Sequence, residues 1–109
     1  MNKYLLNGIW TEVVLVCSNH ENVEMTLENK KFPLFYVCTH KQKRRCSNRI
    51  SVEMFNKMIF HISNALGEED VDNNVINLKY HSFKIENKYE FKILAHEREK
   101  IIVQYTEIV

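Results

Sequence analysis

One stretch of this chain, residues 51–67, repeats its apolar residues at three- and four-residue spacing, and every other patterned stretch repeats them at every second residue. Val52, Phe55, Met58, Ile59, Ile62, Ala65 and Leu66 share one face of the helix that this spacing predicts, the stripe of an amphipathic helix packed on a sheet. Ser51 stands at its start as a side-chain cap, and Glu53 places a negative charge in the first turn, where the helix dipole is positive. Phe60 falls on the opposite face, which a loop, a terminal segment or a partner would have to cover. With one helix available, strands must supply the rest of the core.

The strand patterns lie on both sides of the helix. Residues 12–17 are β-branched and apolar, 23–27 alternate with a period of two, and 32–37 return after a polar turn, with Pro33 near the start where a missing donor does least harm. Beyond an acidic loop over 68–74, three further strands are expected at 75–85, 89–96 and 101–108, joined by polar turns at 86–88 and 97–100. On the middle one Tyr89, Phe91, Ile93 and Ala95 share one face, and Glu90, Lys92 and His96 share the face expected to be wet. These readings predict an α+β protein: an N-terminal β-hairpin region over 12–50, one amphipathic helix over 51–67 and a C-terminal three-stranded antiparallel meander over 75–108.

A chain of 109 residues builds one modest core, so a single domain over 1–109 is expected. Hydrophobic residues at 45% and charged residues at 27% are globular values. A formal charge of +1 argues against a uniformly basic or acidic molecule and makes any electrostatic function local. The longest apolar runs are far short of the roughly 20 residues of a membrane span. Residues 1–10 lack the basic and apolar regions of a signal peptide, so a reducing cytoplasm is the expected compartment. Two isolated glycines, Gly8 and Gly67, leave no phosphate-cradling loop. No nucleophile motif is present, and the pattern of zinc deaminases is missing its Cys-x2-Cys pair, so no enzyme activity is expected.

Three cysteines cannot all pair, and without a signal sequence they read as thiols or metal ligands. Cys17-x2-His20 follows a strand, Cys38 ends the returning strand, and Cys46 follows a basic stretch. Cys17, His20, Cys38 and Cys46 make a Cys3His set, a usual form of structural zinc, with Zn2+ favoured by soft sulfur and imidazole. The competing reading is three buried thiols acting as small hydrophobes. Val16-Cys17-Ser18-Asn19-His20, Phe35-Tyr36-Val37-Cys38 and Cys46-Ser47-Asn48-Arg49-Ile50-Ser51 together resemble zinc-ribbon proteins, in particular the small zinc-ribbon accessory proteins of bacterial phages and mobile elements. The resemblance covers residues 12–51 and implies a zinc-ribbon-like fold there. Ribbons usually close with two ligands two to four residues apart, whereas seven residues separate Cys38 from Cys46, and His40 offers itself as an alternative ligand. His61, His81 and His96 have no sulfur or acidic neighbour at ligand spacing and read as ordinary histidines.

Lys41, Lys43, Arg44, Arg45 and Arg49 place five cations within nine residues, with Cys46 among them and Cys38 just before. A loop of cations restrained by a metal would lose less entropy on meeting phosphates. Two functions from different classes follow. One is a zinc-binding module that contacts nucleic acid or a ribonucleoprotein through residues 41–49. The other is a small inhibitor or adapter that occupies a protein surface, whose concrete form under the phage and mobile-element resemblance is an anti-CRISPR or other counter-defence protein.

Overall fold

In a computed structural model the placed segments are residues 3–6, 8–18, 23–28, 34–38, 48–67 and 78–108. In chain order the elements are β1 (Lys3–Leu6), β2 (Ile9–Cys17), β3 (Met25–Glu28), β4 (Phe35–Cys38), β5 (Arg49–Ser51), α1 (Val52–Gly67), β6 (Ser82–Ile85), β7 (Tyr89–Glu97) and β8 (Lys100–Glu107). Five strands form one sheet in the order β1-β2-β8-β7-β6, and β3-β4-β5 form a second. Every pairing is antiparallel except β2 with β8, which run parallel from Glu12 beside Lys100 to Cys17 beside Tyr105.

This topology overturns the α+β expectation. The described residues are mostly β, with a single mid-chain helix, and no zinc-ribbon-like region stands apart at the N-terminal end. β2, expected inside such a region, is built into the large sheet next to β8. The three C-terminal strands do run as an antiparallel meander, β6-β7-β8, but as one flank of that sheet and not as a sheet of their own. The physical reason is that a strand's own pattern specifies which faces are buried but not which strand lies beside it. A sign of the parallel partner is nevertheless present in β2, where Val13, Leu15, Val16 and Cys17 are all buried. The run is apolar on both faces, as is usual for strands with parallel neighbours, although Val14, on the face away from α1, is only half-buried.

One hydrophobic cluster joins both sheets and the helix. Its centre is Leu15, Phe91, Ile93, Ile101, Val103 and Tyr105 from the large sheet, covered by Phe55, Met58 and Ile62 of α1, with Met25 and Ile50 from the small sheet. The Ser51 hydroxyl accepts a hydrogen bond from the Met54 N–H at 3.1 Å, the cap its position implied. Met54, which was outside the expected stripe, is buried with it, and Phe60 is 68% exposed.

The turn at 86–88 brings Glu86 and Asn87 to φ of 57° and 55°, and the Lys88 N–H donates to the Ile85 carbonyl at 3.3 Å. Two successive left-handed residues match the right-handed twist of the flanking strands.

Two local corrections concern the C-terminal strands. Of the strand expected over 75–85, residues 75–77 lie outside the described residues, and the strand among the rest begins at Ser82. The residues before it form a turn closed by the His81 N–H donating to the Leu78 carbonyl at 2.8 Å, with Tyr80 at a φ of 69°. In β7 the register slips between Ile93 and Ala95, so Ile93 faces Val103 while Ala95 faces Ile102 and His96 faces the fully buried Ile101. One extra residue in a strand reverses the faces of everything after it. His96 therefore lies on the core side, and Ala95 on the outer side, the reverse of the alternation read from the sequence.

Candidate site at the sulfur-bearing end of the small sheet

Cys17 is the last residue of β2 and Cys38 the last of β4, and β3 lies between them. The Cys17 N–H donates to the Val23 carbonyl at 3.0 Å, beside a bridge between Val16 and Glu24, and Met25 pairs with Cys38. Residues opposite each other in an antiparallel pair project to one side, and so do residues two apart along a strand. Cys17, Val23, Met25 and Cys38 thus share one face. Cys17 is fully buried and Cys38 half-buried, and both are thiols.

Asn48 closes this end of the molecule. Its side chain is buried, and its Nδ2 donates to Cys17 Sγ at 3.2 Å and to the Tyr105 carbonyl at 3.0 Å. That carbonyl also accepts from the Ser18 N–H at 3.2 Å. The Tyr105 hydroxyl donates to the Arg49 carbonyl at 3.0 Å, and burial, with Glu107 and Tyr89 nearby, pushes its pKa upward. Ser18 Oγ is buried beside this network and has no hydrogen-bond partner among the described residues. The parallel pairing of β2 with β8 is what sets Cys17 against Tyr105, and it makes the long-range contacts of Asn48 possible.

Of the residues expected to bind metal, the structure brings Cys17 and Cys38 to one face; His20, Cys46 and the alternative ligand His40 lie outside the described residues. Among the described residues no three His, Cys, Asp or Glu side chains gather as a metal-binding group. Of the expected cations, Arg49 is on β5 with its guanidinium 4.5 Å above the centre of the Phe35 ring, while Lys41, Lys43, Arg44 and Arg45 lie outside the described residues. The segment that carries them is nonetheless fixed at both ends. It leaves β4 after Cys38 and enters β5 at Arg49, and Val37 pairs with Arg49. The run of cations is therefore the connection of a hairpin whose base is built into the body of the protein.

Sequence reasoning gave no role to Asn48 or Tyr105. Asn48 had no local signal, since both of its partners are distant in the chain. The remaining histidines pack on rings or backbone. His61 stacks on Phe83 at 4.0 Å between ring centres, His81 lies 6.1 Å from the same ring, and His96 Nδ1 accepts from the Leu78 N–H at 2.9 Å.

A separate groove of about 200 Å³ lies between β2, β3 and α1, lined by Leu15, Met25, Leu27, Tyr36 and Phe55 among others. Tyr36 stacks on Phe55 at 4.3 Å. Beside it, burial and the neighbouring Tyr36 hydroxyl push the Tyr4 pKa up to about 12. Tyr4 therefore stays protonated near neutrality, and the polar side chains that line the groove itself are Glu12, Glu24 and Thr26 with Tyr36. Among the described residues no helix is long and apolar enough to cross a membrane. No family model matches the chain, and no curated protein or solved structure does so either.

Proposed function

We propose that the protein is a non-enzymatic zinc-binding module that contacts nucleic acid or a ribonucleoprotein through the basic connection between β4 and β5. The observation that carries this reading is the Val37–Arg49 pair at the base of that connection. Between these paired residues the sequence carries Lys41, Lys43, Arg44 and Arg45, with Arg49 at the end, in a span without an acidic residue. Local concentration of cations is what phosphate binding requires, because each neutralised phosphate releases counterions.

The zinc part of the proposal rests on the chemistry of the strand ends. Cys17 and Cys38 face the same side, and the amide hydrogen bond to Cys17 Sγ is of the kind that steadies a metal-bound thiolate. His20 follows Cys17 by three residues and Cys46 precedes Asn48 by two. Two or three residues of chain reach about 7–10 Å at most, so the sequence spacing is short enough for a shared ion. Zinc held there would restrain the base of the basic connection.

Metal analysis after purification without chelator tests the first part, with about one zinc per chain expected and less than about 0.2 refuting it. Binding to duplex and single-stranded nucleic acid across salt tests the second. Neutralising Arg44 and Arg45 together is expected to weaken binding about equally across sequences and to flatten the log-log salt dependence by about one to two. The alternative, a small protein-binding inhibitor or adapter, draws support from Phe60, which projects 68% exposed from α1 on the side away from the core. If nucleic acid is not bound at low salt while a protein partner is lost on Phe60→Ser, that alternative replaces the first reading.

A further inference from the structure

The face of the large sheet turned away from α1 carries four charges in register across four strands. Lys3 on β1 pairs with Glu12 on β2, Glu12 with Lys100 on β8, and Lys100 with Glu97 on β7. Paired residues project to the same side, so the row reads plus, minus, plus, minus across the sheet. Among the described residues the ion pair that closes is Lys57 with Glu86 at 3.2 Å, on another part of the surface, and none of the four row charges closes one. Beside the row, Val14, Ile102 and Ala95 are in register and each is only half-buried. On its other side Leu5 pairs with Trp10, and these are 55% and 61% exposed. None of these five apolar residues belongs to the core cluster.

The order of the signs identifies the occupant. A row of plus, minus, plus, minus read backwards is minus, plus, minus, plus. When two copies of one face meet across a two-fold axis that runs parallel to the strands, each reads the other's row backwards, and every cation then faces an anion. An axis along the row would instead pair each residue with its own copy, like charge against like charge. A row of this kind is thus complementary to itself in one symmetric arrangement, which is the requirement of an isologous interface. The same axis, set between β2 and β8, lays Val14 over the partner copy's equivalent of Ile102.

We propose that the protein self-associates as a symmetric dimer, packing this face of the large sheet on the same face of a second copy. Four strands about 4.8 Å apart and three rows about 6.8 Å apart outline roughly 400 Å² of sheet per copy. That is about half the 800 Å² per partner of a standard interface. The dimer is accordingly weak, dissociates on dilution, and loosens with salt, which screens exposed charge pairs.

Sedimentation of the full chain between about 10 and 500 µM tests this. The wild type is expected to shift from monomer to dimer over that range at low salt, and less so at about 0.5 M salt. Lys3→Glu with Lys100→Glu makes the row all acidic, and Glu12→Lys with Glu97→Lys makes it all basic. Each double variant is expected to stay monomeric alone, and an equimolar mixture is expected to recover a heterodimer. A variant carrying all four changes has the inverted but still self-complementary row and is expected to dimerise like the wild type. It also serves if circular dichroism shows that either double variant fails to fold. A wild type that is monomeric throughout, a folded double variant that self-associates like the wild type, or a quadruple variant that stays monomeric would overturn the proposal.

Discussion

Leu78 donates its backbone N–H to His96 Nδ1 at 2.9 Å, a bond that an imidazole accepts only through a nitrogen without a proton. Burial lowers the pKa of His96 from its usual value near 6.5. The unfolded chain therefore takes up a proton that the folded one resists. This contribution to stability is full above about pH 6.5 and is lost as pH falls through that value and then through the lower folded one. The thermal midpoint of the wild type is expected to fall more between pH 7.5 and pH 5 than that of His96→Leu, and equal slopes would remove His96 from the linkage. Asn48 makes the opposite point about legibility, since a buried side chain with two long-range acceptors looks in sequence like any turn asparagine. Asn48→Ala removes one of the two donors to the Tyr105 carbonyl and the amide donor to the Cys17 sulfur, and is expected to cost about 1–3 kcal/mol in urea denaturation. Tyr80 holds a φ of 69° with its ring 68% exposed. The left-handed region costs a non-glycine residue roughly 1–2 kcal/mol, so Tyr80→Gly is expected to leave stability unchanged or raise it by up to about 1 kcal/mol in the same assay.

At the scale of elements, legibility follows the range of the interactions. The helix was readable because its cap, first-turn charge and apolar stripe all lie within 51–67, and α1 (Val52–Gly67) begins one residue after the cap that the sequence marks. The turn at 86–88 was readable as polar residues between strands, although its left-handed pair contains no glycine. β7 was readable up to Ile93 and misread beyond it, because a bulge adds a residue without leaving a mark in the alternation. β1 and β5 were not anticipated at all; the first has four residues and the second three, too few for a period of two to show. The Lys57–Glu86 pair between α1 and the β6–β7 turn is exposed on both sides. Lys57→Ala is expected to change stability by under about 1 kcal/mol, as surface pairs do.

At the scale of the whole molecule, β8 lies between β2 and β7 and has no edge. A zinc ribbon over 12–51 would fold by itself once metal was supplied. Here Cys17 sits beside Tyr105, and the strand that carries it is paired from Glu12 to Cys17 with residues 100–105. A fragment ending after α1 is therefore expected to show no cooperative thermal transition with or without zinc, whereas a transition that appears on adding zinc would restore the independent module. What the sequence left unread at this scale is the pairing of strands, and with it the neighbours of the candidate sulfur site, because pairing energy becomes visible only after the loop between two strands has closed. The central place of β8 also bears on how the protein is made. During translation β2 leaves the ribosome with its apolar run complete, and its parallel neighbour is synthesised last among the described strands. At about 5–20 residues per second the nascent chain carries that open apolar edge for on the order of 5–20 s. Chaperone engagement during this interval, and rapid proteolysis of chains released before residue 107, are the cellular consequences of placing a late strand in the middle of the sheet.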